Sequence, residues 1–392
     1  MKNDAKIEWV FNNYQAKERT ALDHLNSAKA EEIIEFHRSF PMYEETPLVA
    51  LKGLAEELSI NNLYVKDESK RFGLNAFKVL GGSYASAVYL AEKYTSGILG
   101  YDDLKKFDFE DDKILFVTAT DGNHGRGIAW TAKQLGFEAV VFMPKGSSLH
   151  RIENIKREGA RVEVLDCNYD DAVRYAKKYA DENNGILMQD TAMDGYNDIP
   201  LWVMQGYMTI AHEIKVQLKG TKPTHLILQA GVGSFAAAIL GYFKNLYGDD
   251  VKAIIMEPEK ANCIYKSAMI NDGEPHAVTG DLETIMAGLS CGEPNPIAWP
   301  ILRDYGDLFV SCPDYIAEEG MKLLANPKGC DEKVVSGESG APGLGLINSI
   351  MKSEGLNEIK QNLDIGMDSN VIVISTEGDT DPTSYNKIIS GL

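Results

Sequence analysis

Short apolar runs rich in β-branched residues recur along the chain, and helical patterns lie between them. The runs are Leu63-Tyr64-Val65-Lys66, Ile114-Leu115-Phe116-Val117, Ala139-Val140-Val141-Phe142-Met143, Val162-Glu163-Val164-Leu165, Thr224-His225-Leu226-Ile227-Leu228, Val251-Lys252-Ala253-Ile254-Ile255-Met256 and Val371-Ile372-Val373-Ile374. Helical patterns cover 83–93, 127–135, 151–158, 170–182, 202–218, 235–246 and 315–324. A strand that is apolar along its whole length must be covered on both faces, and the intervening helices supply the covers. The expected fold is therefore α/β, around a twisted, mostly parallel sheet. Residues 1–45 read as a helical lead-in, 95–113 as an insertion or connecting loop, and 270–297 as a long surface or lid loop.

The 392 residues allow two domains, and 44% hydrophobic content is ample for their cores. A net charge of −19 argues against a nucleic-acid partner, which needs a basic surface. The opening Met-Lys-Asn-Asp-Ala-Lys-Ile-Glu-Trp has no apolar segment of the kind a secretory signal carries. No run approaches the roughly 18 apolar residues of a membrane span. Cys167, Cys263, Cys291, Cys312 and Cys330 are odd in number and lack metal-ligand spacing, which suits a reducing cytoplasm and no metal site. Whether Cys263 and Cys291 ever bridge stays open, since sequence does not place two thiols at bonding distance.

Ligands of open parallel sheets gather at the carboxyl ends of strands, often against helix N-termini. The residues that follow each run are therefore the candidates. After the first run comes a charged turn, Asp67-Glu68-Ser69-Lys70-Arg71, and then Asn75-Ala76-Phe77-Lys78-Val79-Leu80-Gly81-Gly82. Lys78 stands there among small and apolar neighbours. Burial disfavours a lysine's charged form, and a neutral amine is what Schiff-base chemistry uses. Alone, such a lysine is ordinarily a solvated residue at a helix start; the later loops change its meaning.

One of these loops is Thr118-Ala119-Thr120-Asp121-Gly122-Asn123-His124-Gly125, small and polar, opening a helix whose amides suit a carboxylate. Asn123 adds a side-chain amide for a phenolate-type oxygen. Another is Gln229-Ala230-Gly231-Val232-Gly233-Ser234-Phe235-Ala236, where the amides of Gly231, Val232, Gly233 and Ser234 suit a phosphate. It has neither the spacing of a dinucleotide fingerprint nor the Lys-Ser/Thr ending of a Walker loop. The last is Ser375-Thr376-Glu377-Gly378-Asp379, whose hydroxyls suit either a ring nitrogen or a turn cap.

In this order, Ala-Phe-Lys, a Gly-Asn-His loop, a glycine-rich phosphate loop and a late Ser/Thr after a strand resemble the fold-type II pyridoxal-phosphate (PLP) enzymes. Met204-Gln205-Gly206-Tyr207-Met208-Thr209 looks like the GQGT-type helix of that group. The resemblance covers about residues 45 to 380. It implies a large PLP-binding domain (1–95 and 200–392) with a smaller α/β domain (96–199) inserted in it. It further implies pyridoxal 5'-phosphate on Lys78, its phosphate on Gly231, Val232, Gly233 and Ser234, Asn123 at O3′, and Ser375 or Thr376 at the pyridine nitrogen. Relatives of this kind are usually homodimers.

The departures from the family pattern carry the substrate. Asp121 stands where dehydratases and racemases usually have serine, Leu80 where an arginine is usual, and Asp190 leads into the GQGT-like helix. Two added carboxylates suit a cationic small-molecule amino acid. Within the family the pattern looks most like the diaminopropionate ammonia-lyases. The resemblance then implies a carbon–nitrogen lyase that converts 2,3-diaminopropionate to pyruvate and two ammonia, with Lys78, Asp121 and Asp190 catalytic. Thr120, Asp121, Gly122 and His124 would hold the substrate carboxylate end, and Asp190 its amine. A base on each face, Lys78 and Asp121, would let one site take both D and L isomers. A serine/threonine dehydratase of the same fold, or a non-catalytic amino-acid-binding α/β protein, are the other readings.

Overall fold

The structure, a computed structural model, describes residues 6–95, 97–109, 113–120 and 122–391. Its strands are β1 (Glu8–Phe11), β2 (Leu48–Ala50), β3 (Asn62–Asp67), β4 (Leu115–Ala119), β5 (Glu138–Met143), β6 (Arg161–Val164), β7 (Ile186–Leu187), β8 (His225–Gln229), β9 (Lys252–Pro258), β10 (Leu308–Cys312) and β11 (Asn370–Ser375). Seven form one sheet in the order β1-β10-β9-β8-β11-β3-β2, and four form a second in the order β6-β5-β4-β7. Within the larger sheet only the edge strands β1 and β2 pair antiparallel; the pairs between are parallel. The smaller sheet is parallel throughout. This is the expected α/β fold, built around a mostly parallel sheet.

The apolar runs explain the layering. Side chains alternate across a strand, and in β8 Leu226 and Leu228 belong to one core while Ile227 belongs to another. The first core includes Phe235, Leu240 and Phe243 from the helix Ser234–Tyr247. The second includes Leu344 and Ile347 from the helix Pro342–Lys352. A strand covered on both faces, as β8 is, thus needs apolar residues at successive positions, which is why periodicity of two is absent there.

Three expectations change. The lead-in contains an edge strand, β1, paired with β10 (Glu8 opposite Ser311), besides the helix Ser27–Arg38. A run of four residues carries too little pattern to announce a strand. The 202–218 stretch is two helices, Asp198–Gly206 and Met208–Gln217. The 270–297 stretch is largely irregular and mostly exposed over 270–281, as expected of a surface loop, but its second half turns inward, where Met286 and Asn295 are fully buried.

Two packing features hold the Lys78 segment. The helix Val79–Tyr94 crosses the helix Asp198–Gly206 so closely that a Cβ on Gly206 would stand 2.5 Å from the Leu80 carbonyl oxygen. Just before it in the chain, the charged turn after β3 folds inward. Arg71 Nη2 lies 2.8 Å from both Glu68 Oε1 and Glu213 Oε2, and Lys66 Nζ lies 2.6 Å from Glu213 Oε2; all four side chains are fully buried. Burial alone would raise the Glu213 carboxyl, but the Arg71 and Lys66 charges hold it below its usual range. Such a cluster tolerates burial because every charge is paired; deleting one member leaves an uncompensated charge and costs about 3–5 kcal/mol.

Candidate active site

One cavity at the carboxyl ends of β3, β8 and β11 is lined by Lys78, Asn123, Asp190, the Gly231–Val232–Gly233–Ser234 loop and Thr376. Most of the residues proposed from sequence therefore meet in one place. Lys78 precedes the helix Val79–Tyr94. Its setting is less apolar than its neighbours in sequence suggest: the side chain is 17% exposed, and Nζ donates to Asp190 Oδ2 at 2.7 Å. Aromatic rings supply the apolar part, with Phe77 packed 4.7 Å, centroid to centroid, from both Tyr207 and Phe235.

Asp190 follows the short strand β7 and is 2% exposed. Burial by itself would push its carboxyl up, yet the charges of Lys78 and His124, with hydrogen bonds from Lys78 and Tyr169, hold it well below the usual carboxylate range. Tyr169 Oη donates to Oδ1 at 3.0 Å, and Gln189 Nε2 reaches the Tyr169 oxygen at 2.9 Å. Gln189 is itself fastened to the end of β4, accepting from the Ala119 amide at 3.0 Å. The anion is thus oriented from both sides.

The glycine loop turns through Gly233 at φ +98°, a left-handed conformation suited to glycine. It delivers Ser234 as the first residue of the helix Ser234–Tyr247. The first amides of a helix have no intrahelical acceptor and carry the positive end of the dipole, so they suit an anion. Asn295 ties this loop to the aspartate. Its Nδ2 donates to Ser234 Oγ at 2.7 Å and its backbone amide to Val232 O at 2.7 Å, while Ser234 Oγ donates to the Asp190 carbonyl at 2.9 Å.

Asn123 opens the helix Asn123–Leu135, and its Nδ2 donates to Glu377, which also lines the cavity. Thr120 and His124 do not line the cavity; they brace the loop. Thr120 Oγ1 accepts from the Gly122 and Gly125 amides at 2.9 and 3.1 Å, and His124 Nε2 donates to the Met188 carbonyl at 2.7 Å. Asp121 lies outside the described residues. Of the two late hydroxyls, Thr376 lines the cavity and donates to Ser339 O at 3.1 Å; Ser375 turns to Ser336 Oγ at 2.7 Å.

Sequence reasoning missed Tyr169, Asn295, Ser339 and Glu377 as members of the site. Only Glu377 had a signal, its place inside the Ser-Thr-Glu-Gly run. Cys263 and Cys291 flank the glycine loop: Cys263 Sγ is 3.9 Å from Gly231 O, and a Cβ on Gly231 would stand 3.1 Å from Cys291 Sγ. All five cysteines are thiols. Among the described residues no cluster of three or more His, Cys, Asp or Glu could hold a metal ion, and no helix is long and apolar enough to cross a membrane.

The donor set fits pyridoxal phosphate. An amine, an anion-binding helix start, a side-chain amide and a hydroxyl converge on one cavity. The buried Tyr207 hydroxyl, also on the cavity wall, has no hydrogen-bond partner among the described residues.

Comparison with known proteins agrees. The family model of the pyridoxal-phosphate dependent enzymes matches residues 40–375. A diaminopropionate ammonia-lyase of Salmonella typhimurium is 49% identical over 395 residues, 98% of this chain and 98% of its own. That of Escherichia coli K12 is 46% identical over 98% of this chain and 96% of its own. A crystal structure of the Escherichia coli enzyme in complex with D-serine is similar at a TM-score of 0.92 and 44% identity, covering 98% of this chain and 97% of that one.

Proposed function

The chain belongs to the pyridoxal-phosphate-dependent enzymes, and from that premise we propose that it is a carbon–nitrogen lyase acting on 2,3-diaminopropionate, releasing pyruvate and two ammonia. The observation that carries the reading is the buried Asp190 carboxylate facing a cation, Lys78 Nζ, at 2.7 Å. The substrate differs from serine in bearing an ammonium where serine has a hydroxyl, and a buried anion is what distinguishes the two.

Lys78 would hold the cofactor and is the base for the Cα proton of the L isomer. The cofactor, when bound, supplies the electron sink for that proton's electron pair. Gly231, Val232, Gly233 and Ser234 would hold its phosphate, Asn123 its O3′ and Thr376 its ring nitrogen. Asp121 takes the Cα proton of the D isomer from the opposite face. Thr120 and His124 hold the 120–124 loop against the substrate carboxylate, and Asp190 holds the departing amine, oriented by Tyr169. Residues 96–199 act as a smaller domain carrying that loop, against a larger one formed by 1–95 and 200–392. The working form is a cytoplasmic homodimer.

The test is product analysis with both enantiomers of 2,3-diaminopropionate alongside D- and L-serine. Pyruvate and two equivalents of ammonia from both diamino isomers is the expected result. Strong turnover of serine with none of diaminopropionate would make the protein a dehydratase instead. A Lys78→Ala protein should be colourless after loading with cofactor and dialysis.

A further inference from the structure

Glu377 is 1% exposed and lines the cavity immediately after Thr376. Its carboxylate only accepts hydrogen bonds. Oε1 accepts from the Ser339 amide at 3.1 Å, and Oε2 accepts from Thr380 Oγ1 at 3.2 Å and from Asn123 Nδ2. The backbone beneath it is fixed on two sides. Glu377 bridges Ala76, Phe77 N donates to Thr376 O at 3.2 Å, and Gly337 N donates to Glu377 O at 3.0 Å.

A side-chain amide has two orientations that differ by exchanging its oxygen and nitrogen. Facing a carboxylate, only the orientation with Nδ2 toward it is stable, because an amide oxygen there would be repelled. Glu377 therefore decides which way Asn123 turns. One N–H of Nδ2 is used on Oε2, and the other is left to a second acceptor on the cavity side.

We infer that Glu377 is a positioning residue that locks the Asn123 amide so that its remaining N–H is presented to the phenolate-type O3′ of the cofactor. The inference rests on the reading of Asn123 as the O3′ partner. It explains why a carboxylate stands beside an oxygen that is itself anionic. Its direct repulsion of O3′ is offset by the N–H placed between them, and by the Ser339 and Thr380 donors that share its charge.

The test uses two readouts besides turnover. One is the affinity of the apo protein for pyridoxal phosphate. The other is the pH midpoint of the visible absorbance of the loaded protein. A donor on O3′ weakens that oxygen's hold on the neighbouring imine proton, so losing the donor raises the midpoint. Removing a negative charge with no change in Asn123 would lower it. The sign thus separates positioning from a direct field. The other titratable groups on the cavity wall, Lys78, Asp190, Tyr207 and Cys291, are kept in every variant.

Asn123→Ala and Glu377→Gln should each weaken cofactor binding about tenfold, the worth of one good hydrogen bond. Each should also raise the midpoint, and the double variant should go no further than either single one. If Asn123→Ala moves neither readout, the O3′ assignment fails and the inference falls with it. If Asn123→Ala moves both but Glu377→Gln lowers the midpoint, or adds fully to Asn123→Ala, the assignment stands and the positioning role is overturned. Should the glutamine variant not fold, Glu377→Ala carries the same expectations without adding a competing donor.

Discussion

Lys78 Nζ and Asp190 Oδ2 stand 2.7 Å apart, and the aspartate is held for that meeting by Tyr169 on its other oxygen at 3.0 Å. A carboxylate so fixed keeps one oxygen directed at whatever cation occupies the cavity. The substrate's ammonium has the same chemistry as the lysine's. Asp190→Asn keeps the size and loses the charge. It should lower kcat/KM for diaminopropionate by about 10²–10⁴, while the affinity for D-serine, followed by the cofactor spectrum, changes far less. Equal losses for the two ligands would mean that Asp190 only builds the cavity.

On the two-base reading proposed above, Asp121→Asn should harm the D isomer of diaminopropionate more than the L isomer, since the base opposite Lys78 would serve the D isomer alone. Separate kcat/KM values for the two enantiomers check this. An equal loss would leave Lys78 as the base for both.

Glu257 gives the stability a pH dependence. It is fully buried, next to Cys263 behind the glycine loop, and accepts the Ile264 and Tyr265 amides at 2.9 and 2.6 Å. Burial raises its carboxyl from an ordinary 4.5 to about 8. The folded state therefore keeps a proton that the unfolded chain releases above pH 4.5, and stability falls as pH rises through that window, levelling above pH 8. Glu257→Gln has no such proton to keep. Urea midpoints from pH 5 to 8 should decline more steeply for the natural protein than for the variant; parallel curves would show that Glu257 is already ionised.

Gly206→Ala should destabilise the fold by about 1–3 kcal/mol, the usual range for overpacking. The added Cβ meets the Leu80 carbonyl at 2.5 Å, and backbone does not move aside as a side-chain tip would. A lower urea midpoint with unchanged slope is expected. Since the crossing also seats Lys78, cofactor affinity should fall with it.

The parallel sheet was legible because its strands are apolar throughout, as β8 and β11 show, and because each site loop follows a strand in sequence. β10 was not foreseen. Leu308-Phe309-Val310-Ser311-Cys312 is five residues long, and without periodicity a buried run of that length reads equally as helix. The missed members of the site share a different cause. Asn295 reaches Ser234 across 61 positions, and Asn123 reaches Glu377 across 254. Such contacts exist only once the chain is folded, and an asparagine in an irregular stretch carries no local sign of them. Arg71 shows the same limit: in sequence it is one charge of a turn, and only the fold makes it the centre of a buried cluster.

That cluster restricts how the protein can vary. Lys66 and Arg71 carry two positive charges and Glu68 and Glu213 two negative, so the set is neutral as a whole. Any single replacement strands an opposite charge in the interior, whereas a simultaneous exchange of partners does not. Across relatives the four positions should therefore drift as a bloc, remaining all ionic or becoming all apolar. A lineage that crossed between those states would have to pass through an intermediate with an uncompensated charge in the core.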